Sequence, residues 1–299
     1  MIEINNLTKN FGDFTALENI TFSVENGSIY GLVGYNGAGK TTLLKTIVDV
    51  YRATSGTVKL GGEIVSDNAD VKEKIFYVPD DIYFLANSTM DKMAKFYAGF
   101  YSNFNFDTYK NLSEIFGLDT KKKLNGFSKG MQRQAEMVLA LSTRPEVLLL
   151  DESFDGLDPA KRALMRDLII EYTRETNAIV IISSHNLHEL ENMCDHVGLI
   201  NGKKLVINTS VDDMSGSICK FRVIFNDKRD KEDFPDFDIK KFKRDGKIIT
   251  MVIAGDYDDI EDKLADMCPL LLEKYPLTLE EIFLNEMEDK SYDITKIFW

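Results

Sequence analysis

The sequence predicts an α/β protein followed by a small α+β unit. Three observations carry the prediction. Short, β-branched apolar runs alternate with helix-patterned stretches through the first 211 residues. A glycine-rich loop, GYNGAGKT, joins one such run to the next helix. Charge and composition shift near residue 210. Alternation of this kind is the mark of a largely parallel sheet buried on both faces. The strand-like runs are 28–33, 147–150, 178–183 and 197–200, and helical stretches lie at 40–51 and 159–173.

Composition bounds the rest. The 299 residues include 49 acids and 36 bases, a net charge of −13, with 44% hydrophobic and 28% charged residues. These proportions suit a soluble globular protein, and the acidic balance argues against a nucleic-acid partner. No run approaches the roughly 18 apolar residues of a membrane-spanning helix. The opening MIEINNLTKNFG lacks the basic start and apolar stretch of a secretory signal. Cys194, Cys219 and Cys268 are few, odd in number and far apart, which predicts reduced thiols in a cytoplasm and no zinc site. Residues 1–211 carry 27 acids and 22 bases, net −5, whereas residues 212–299 carry 22 and 14, net −8. SVDDMSGS at 210–217 reads as a linker between two domains, 1–211 and 212–299. Beyond it, 218–225 and 247–254 are strand-like, and 257–267 and 278–288 helical.

The loop from Gly34 to Thr41 fits the phosphate-binding pattern G-x-x-x-x-G-K-[ST], with an apolar strand before it and a helix after. Gly34, Gly37 and Gly39 allow a sharp turn that brings backbone N–H groups of Asn36, Ala38 and their neighbours against phosphate oxygens. A helix starting near Lys40 adds the positive end of its dipole, with Thr42 in its first turn. Lys40 is expected to reach the β- and γ-phosphates and the Thr41 hydroxyl to ligate Mg²⁺. The bland alternative, a chance glycine-rich turn, explains neither flanking element. Further on, VLLLDE at 147–152 delivers two carboxylates at the C-terminal end of a buried strand, where open α/β sheets bind ligands. Asp151 would hold Mg²⁺ directly or through water, and Glu152 would accept a proton from water attacking the γ-phosphate. Alone, an apolar strand ending in two acids is common.

Its surroundings add the specificity. FSKGM at 127–131 opens a helix with an apolar face of Met131, Ala135, Val138 and Leu139. Gly156, Leu157 and Asp158 follow the Glu152 strand, Ser183, Ser184 and His185 end the next, and Phe11 precedes Gly12 near the N-terminus. In this order the segments resemble the ATP-binding cassette family, the ATPase subunits of ABC transporters, over about residues 2–208. The resemblance implies a P-loop NTPase fold of the ABC type with an inserted helical subdomain at about 83–143, plus the small C-terminal domain. It implies that Phe11 stacks on adenine, that Ser128 and Gly130 cap the γ-phosphate of ATP bound to a second subunit, and that Asp158 lies in the loop linking the two sites. His185 would contact the γ-phosphate and the attacking water. Taken by residue type alone, His185 is as readily structural and Ser128 a simple helix N-cap. The implied partners are membrane-spanning permease subunits and a second ATP-binding subunit, the same chain or a related one, at the inner face of the membrane.

Two departures stand out. Lys129 and Met131 occupy signature positions where the family usually has glycine and glutamine. Asp80, in FYVPDD at 76–81, stands where the family commonly has a glutamine that touches Mg²⁺. A carboxylate is also a hard oxygen ligand, but it adds negative charge beside a triphosphate. Between Tyr83 and Phe127 lie 11 aromatics in 45 residues. Met93, Phe96, Tyr97, Phe100, Tyr101 and Phe104 share one helical face, with Ser88 and Asp91 as its capping start. Most of these rings should form core, and some a groove for a permease helix. The rival reading is a soluble, non-transport ATPase of the same type. It lacks support from any coiled coil, second cassette, zinc-type spacing or basic surface. A nucleotide sensor that barely hydrolyses is disfavoured by the presence of Glu152 and His185.

Overall fold

The computed structural model describes residues 1–211, 218–275 and 281. The expected linker lies outside the described residues apart from Ser210 and Val211, as does the expected helix at 278–288 apart from Glu281. The chain divides into two compact units, Met1–Asn208 and Thr209–Trp299.

The first unit opens with β1 (Ile2–Phe11) and β2 (Phe14–Val24), an antiparallel hairpin that sets Phe11 opposite Phe14. β3 (Ile29–Val33) leads through the glycine-rich loop into α1 (Lys40–Ile47). β4 (Ser55–Leu60) and β5 (Glu63–Ile64) complete a four-stranded sheet in the order β2-β1-β4-β5. After the short α2 (Ala69–Lys72) and β6 (Ile75–Val78) come α3 (Met90–Ala98), α4 (Phe106–Phe116) and α5 (Lys129–Ser142). The chain then alternates β7 (Val147–Asp151), α6 (Pro159–Thr176), β8 (Ile179–Ser184), α7 (Leu187–Glu191), β9 (His196–Asn201) and β10 (Lys204–Ser210).

The main sheet has the order β10-β9-β3-β8-β7-β6, and its β9, β3, β8, β7 and β6 strands pair in parallel. β3, β7 and β8 are buried at every position, as continuous apolar runs covered on both faces must be. Ile2, Ile4, Leu7, Leu17 and Ile20 of the antiparallel sheet share one core with Leu43, Leu44 and Ile47 of α1 and with Leu32, Leu149 and Ile181 of the parallel sheet. Burying side chains of this size stabilises by roughly 1.5–3 kcal/mol each. The parallel strands end together, so the loops after β3, β7 and β8 meet at one edge.

Several ends differ from the sequence reading. α1 stops at Ile47, short of residue 51, because Asp49 turns left-handed (φ 61°) and the N–H groups of Val50 and Tyr51 both donate to the Lys45 carbonyl. α3 is capped by Thr89, whose hydroxyl accepts from the Lys92 N–H, and not by Ser88 with Asp91. It ends at Ala98, so Tyr101 and Phe104 lie past the helix. The rings separate accordingly. Tyr97 and Tyr101 both pack on Phe76 of β6 at 5.3 Å, whereas Phe96 and Phe100 stay 42% and 64% exposed.

The second unit is an antiparallel sheet of β11 (Ile218–Ile224), β12 (Asp238–Asp245), β13 (Ile248–Ala254) and β14 (Leu271–Tyr275) in the order β12-β13-β11-β14. The helix Tyr257–Asp266 contributes Ile260 and Leu264 to a core with Phe221, Val223, Phe225, Phe234 and Met251. Among the described residues no helix is long and apolar enough to cross a membrane.

Candidate functional site

A cavity of about 500 Å³ opens where β3, β7 and β8 end. One wall is the loop between β3 and α1, with Asn36, Gly37, Ala38, Gly39, Lys40, Thr41 and Thr42 all lining it. Gly39, the N-cap of α1, has φ 114°, and a Cβ there would lie 2.9 Å from the Leu17 side chain. Only glycine closes this turn without displacing the core. Gly34 begins the loop, and its carbonyl accepts from Lys40 Nζ at 2.7 Å. Lys40 is buried, its ammonium 3.2 Å from Glu152 Oε1. The loop thus aims a helix N-terminus and one buried cation at the same space, a ready site for phosphate.

The opposite wall comes from β7 and β8. Asp151 is fully buried at the end of β7, and both its oxygens are occupied: Tyr77 Oη donates to Oδ2 at 2.9 Å and Ser183 Oγ to Oδ1 at 2.6 Å. It sits behind the cavity wall and is not among the lining residues. Burial, then the Asp151 charge, hold the Tyr77 phenol far above its ordinary range, so it remains a donor. Glu152 turns left-handed (φ 46°) as the strand ends. Its N–H lies 3.2 Å from the Ser183 carbonyl, and its carboxylate enters the cavity between Lys40 and His185. His185 Nδ1 is 2.9 Å from Glu152 Oε2, and the His185 N–H donates to the same oxygen at 3.3 Å. Backbone strain at such a position costs about 1–3 kcal/mol and persists where neighbours enforce it.

Asp80 and Asp155 complete the acidic end of the cavity. Asp80's carboxyl is raised above its usual range, first by burial and then by Asp151, Asp81 and Asp155, while Arg133 pulls it back down. Ligand atoms of Glu152, Asp155 and His185 lie within 4.8 Å of one another. The lining also includes Phe14, Tyr35 and Lys203, with Lys203 Nζ 5.1 Å from the centre of the Phe14 ring. Phe11 does not line the cavity. Its ring stands edge-on to Tyr51 at 5.3 Å under Lys9, whereas Phe14, directly across the hairpin, does line it.

Three expected residues lie away from this space. Ser128 caps α5, its Oγ accepting from the Met131 N–H at 3.3 Å. Gly130 follows in the first turn, where a Cβ would come 3.0 Å from the Gly156 carbonyl. Asp158 caps α6 by accepting from the Lys161 N–H at 3.0 Å.

The chain is similar to known proteins. The model of the ABC transporter family matches residues 17–155, from β2 through the glycine-rich loop to Asp155. The bacitracin transport ATP-binding protein BcrA of Bacillus licheniformis is 34% identical over 209 residues, 69% of this chain and 68% of that protein. The chain belongs to the ABC transporter ATP-binding proteins. Nearly its whole length aligns with the ABC transporter ATP-binding protein YtrB of Bacillus subtilis, 27% identical over 97% of this chain and 99% of that one. A solved ATP-binding subunit of an ABC transporter superposes with a TM-score of 0.65 at 25% identity, covering 72% of this chain and 91% of that one. The fold is the ABC-type P-loop fold, and the chain is an ATP-binding, ATP-hydrolysing subunit of a transporter, not a soluble ATPase outside transport.

The sequence reading named Ser183 only as part of a strand-ending segment and gave no role to Tyr77, Phe14, Asp155, Lys203 or Arg133, which the structure sets in or against the cavity. Ser183 carried a signal, as the second-last residue of a strand adjacent to β7. Tyr77 and Arg133 carried none, because the groups they bind across the site, Asp151, Pro79 and Asp80, lie 53 or more residues away in the chain.

Proposed function

We propose that the subunit binds ATP with its triphosphate along Gly34–Thr42 and its base toward the Phe14 end, and that Glu152 is the general base. The position of Glu152 supports this reading above all: its carboxylate is shared between Lys40 at 3.2 Å and His185 at 2.9 Å. Lys40 and Glu152 neutralise each other across this 3.2 Å contact. A γ-phosphate entering the loop competes for Lys40, which releases the Glu152 carboxylate toward a water on the far side of that phosphate. His185, tied to Glu152 through ring and backbone, then orients this water and the phosphate oxygens. Hard oxygen donors suited to Mg²⁺ support the reading: the Thr41 hydroxyl and the Asp80 carboxylate line the cavity and would hold the ion, with Asp151, just outside the lining, reaching it through water. When bound, the ion neutralises charge on the β- and γ-phosphates.

Ser128 and Gly130 stand at a second helix N-terminus, outside this chain's own cavity. There they would receive the phosphates of a partner subunit's ATP, giving a dimer with two nucleotides. Every catalytic position is present in this one chain, so a homodimer carries two complete sites. The subunit acts at the inner face of the membrane through a separate spanning permease.

Glu152→Gln tests the proposal. The variant should bind ATP, hydrolyse it at least about a hundredfold more slowly, and accumulate as a dimer with ATP on size-exclusion chromatography. Hydrolysis at the wild-type rate would remove Glu152 from the role of base.

A further inference from the structure

Arg133 sits in the second turn of α5, five residues beyond Ser128, and its side chain is 4% exposed. It reaches across to the segment that follows β6. Nη1 donates to the Pro79 carbonyl and Nη2 to the Asp80 carbonyl, each at 2.7 Å. Nη2 is also 3.5 Å from Asp80 Oδ1, and Nη1 3.2 Å from Glu136 Oε2 on its own helix. The planar, forked guanidinium matches two successive carbonyls as an ammonium cannot. A buried cation left without a carboxylate would be costly, so Arg133 needs its acidic neighbours as much as they need it.

Asp80 is the consequential neighbour. Its carboxylate is 57% exposed and lines the nucleotide cavity, in company with Glu152 and Asp155. Lys40 is already engaged by Glu152. A polyphosphate entering this end therefore meets a wall of negative charge, with the Arg133 guanidinium directly behind one part of it. A mere staple between loop and helix would need only the two carbonyl bonds. The approach to Asp80 Oδ1 adds a charge effect that a neutral residue at either position would abolish.

We infer that Arg133 is a positioning residue of the nucleotide site, fixing the Pro79–Asp80 backbone to α5 and offsetting the Asp80 charge so that the cavity accepts a triphosphate. The inference rests on the nucleotide reading of this cavity. It is tested by a double-mutant cycle in the full chain, with Arg133→Gln, Asp80→Asn and the pair, reading ATP affinity by calorimetry in EDTA alongside KM and kcat. Arg133→Gln should weaken ATP binding about fivefold in the presence of Asp80, and less than about twofold once Asp80→Asn accompanies it. KM should follow the affinity while kcat changes less. Arg133→Lys keeps the charge without the fork and should fall between the wild type and the Gln variant in ATP affinity, a partial rescue that guards against a folding defect in the Gln variant. Equal losses in both Asp80 backgrounds, or a Lys variant as weak as the Gln variant, would overturn charge balancing. Wild-type chain that fails to bind ATP in the same titration would overturn the nucleotide reading too, and so separates the two failures.

Discussion

Glu152 enters the cavity because three kinds of contact converge on it: the Lys40 ammonium, the His185 ring and backbone N–H, and the β8 strand at Ser183. Ser183 deserves the most weight among residues outside the cavity. Its Oγ donates to Asp151 Oδ1 at 2.6 Å and lies 3.2 Å from the Glu152 N–H, so one hydroxyl fixes both acids at the end of β7. Ser183→Ala fits the space and removes only the hydroxyl. It leaves a fully buried carboxylate oxygen without its donor, which should lower stability by about 1–3 kcal/mol. Because Glu152 loses its anchor while the phosphate loop is untouched, kcat should fall several-fold and ATP affinity stay within about twofold. Thermal melts and steady-state kinetics check both halves, and an unchanged kcat would mean that the strand alone positions Glu152. Sequence spacing revealed Glu152 and His185 because each ends an apolar run. The hydroxyls that hold Asp151 come from separate strands, and only the folded sheet brings Tyr77 and Ser183 to it.

At the scale of elements, parallel strands were the most legible. β3, β7 and β8 are apolar throughout because both faces are covered, and a continuous apolar run is visible without knowing its neighbours. The antiparallel sheet was not read from sequence at all. β1 and β2 carry register shifts at three places along their pairing, which break the alternation that would have marked them. Helix ends were set by local backbone, Asp49 at the end of α1 and Thr89 at the start of α3, and apolar periodicity does not encode either. α5 shows what periodicity hides. Its apolar face packs against α3, α4 and β6, yet Arg133 and Glu136 are buried on it as well. Burial pushes Glu136 up to about 7, against the opposing pull of Arg133. The unfolded chain releases that proton near its ordinary carboxylate value of about 4.3, whereas the folded chain keeps it. This site therefore contributes stability that is fully present below that value and is lost as pH rises through about 7. Glu136→Gln cannot titrate, so it should flatten the decline in melting temperature between about pH 5 and 8. A wild-type slope in the variant would show that other groups set the pH dependence.

The whole molecule joins a catalytic unit of ordinary charge to an acidic second unit, net −5 for residues 1–211 and net −8 for residues 212–299. An ATP-binding subunit of a transporter works with a membrane permease, and we propose that the two meet at exposed rings of the first unit. The rings of α3 and of the turn just after it supply the chemistry. Phe96 and Phe100 lie 5.0 Å apart and remain 42% and 64% exposed, while Tyr97 and Tyr101 turn inward onto Phe76. Adjacent exposed aromatics on a soluble face mark an interaction site more often than chance packing, and aromatics are enriched at interface cores. Phe76 belongs to β6, which runs directly into Pro79 and the cavity-lining Asp80. A permease helix seated on Phe96 and Phe100, as we propose, would press on an element whose end lines the nucleotide cavity. Substituting both rings, Phe96→Ser with Phe100→Ser, should remove the shelf and leave Phe76, Tyr97 and Tyr101 in place. The isolated subunit should keep its basal ATPase within about twofold. Its recovery with permease-containing membranes should fall at least about tenfold, since losing two interface aromatics of roughly 1 kcal/mol or more each exceeds a tenfold change in affinity. Undiminished recovery would place the permease contact on another face of the subunit.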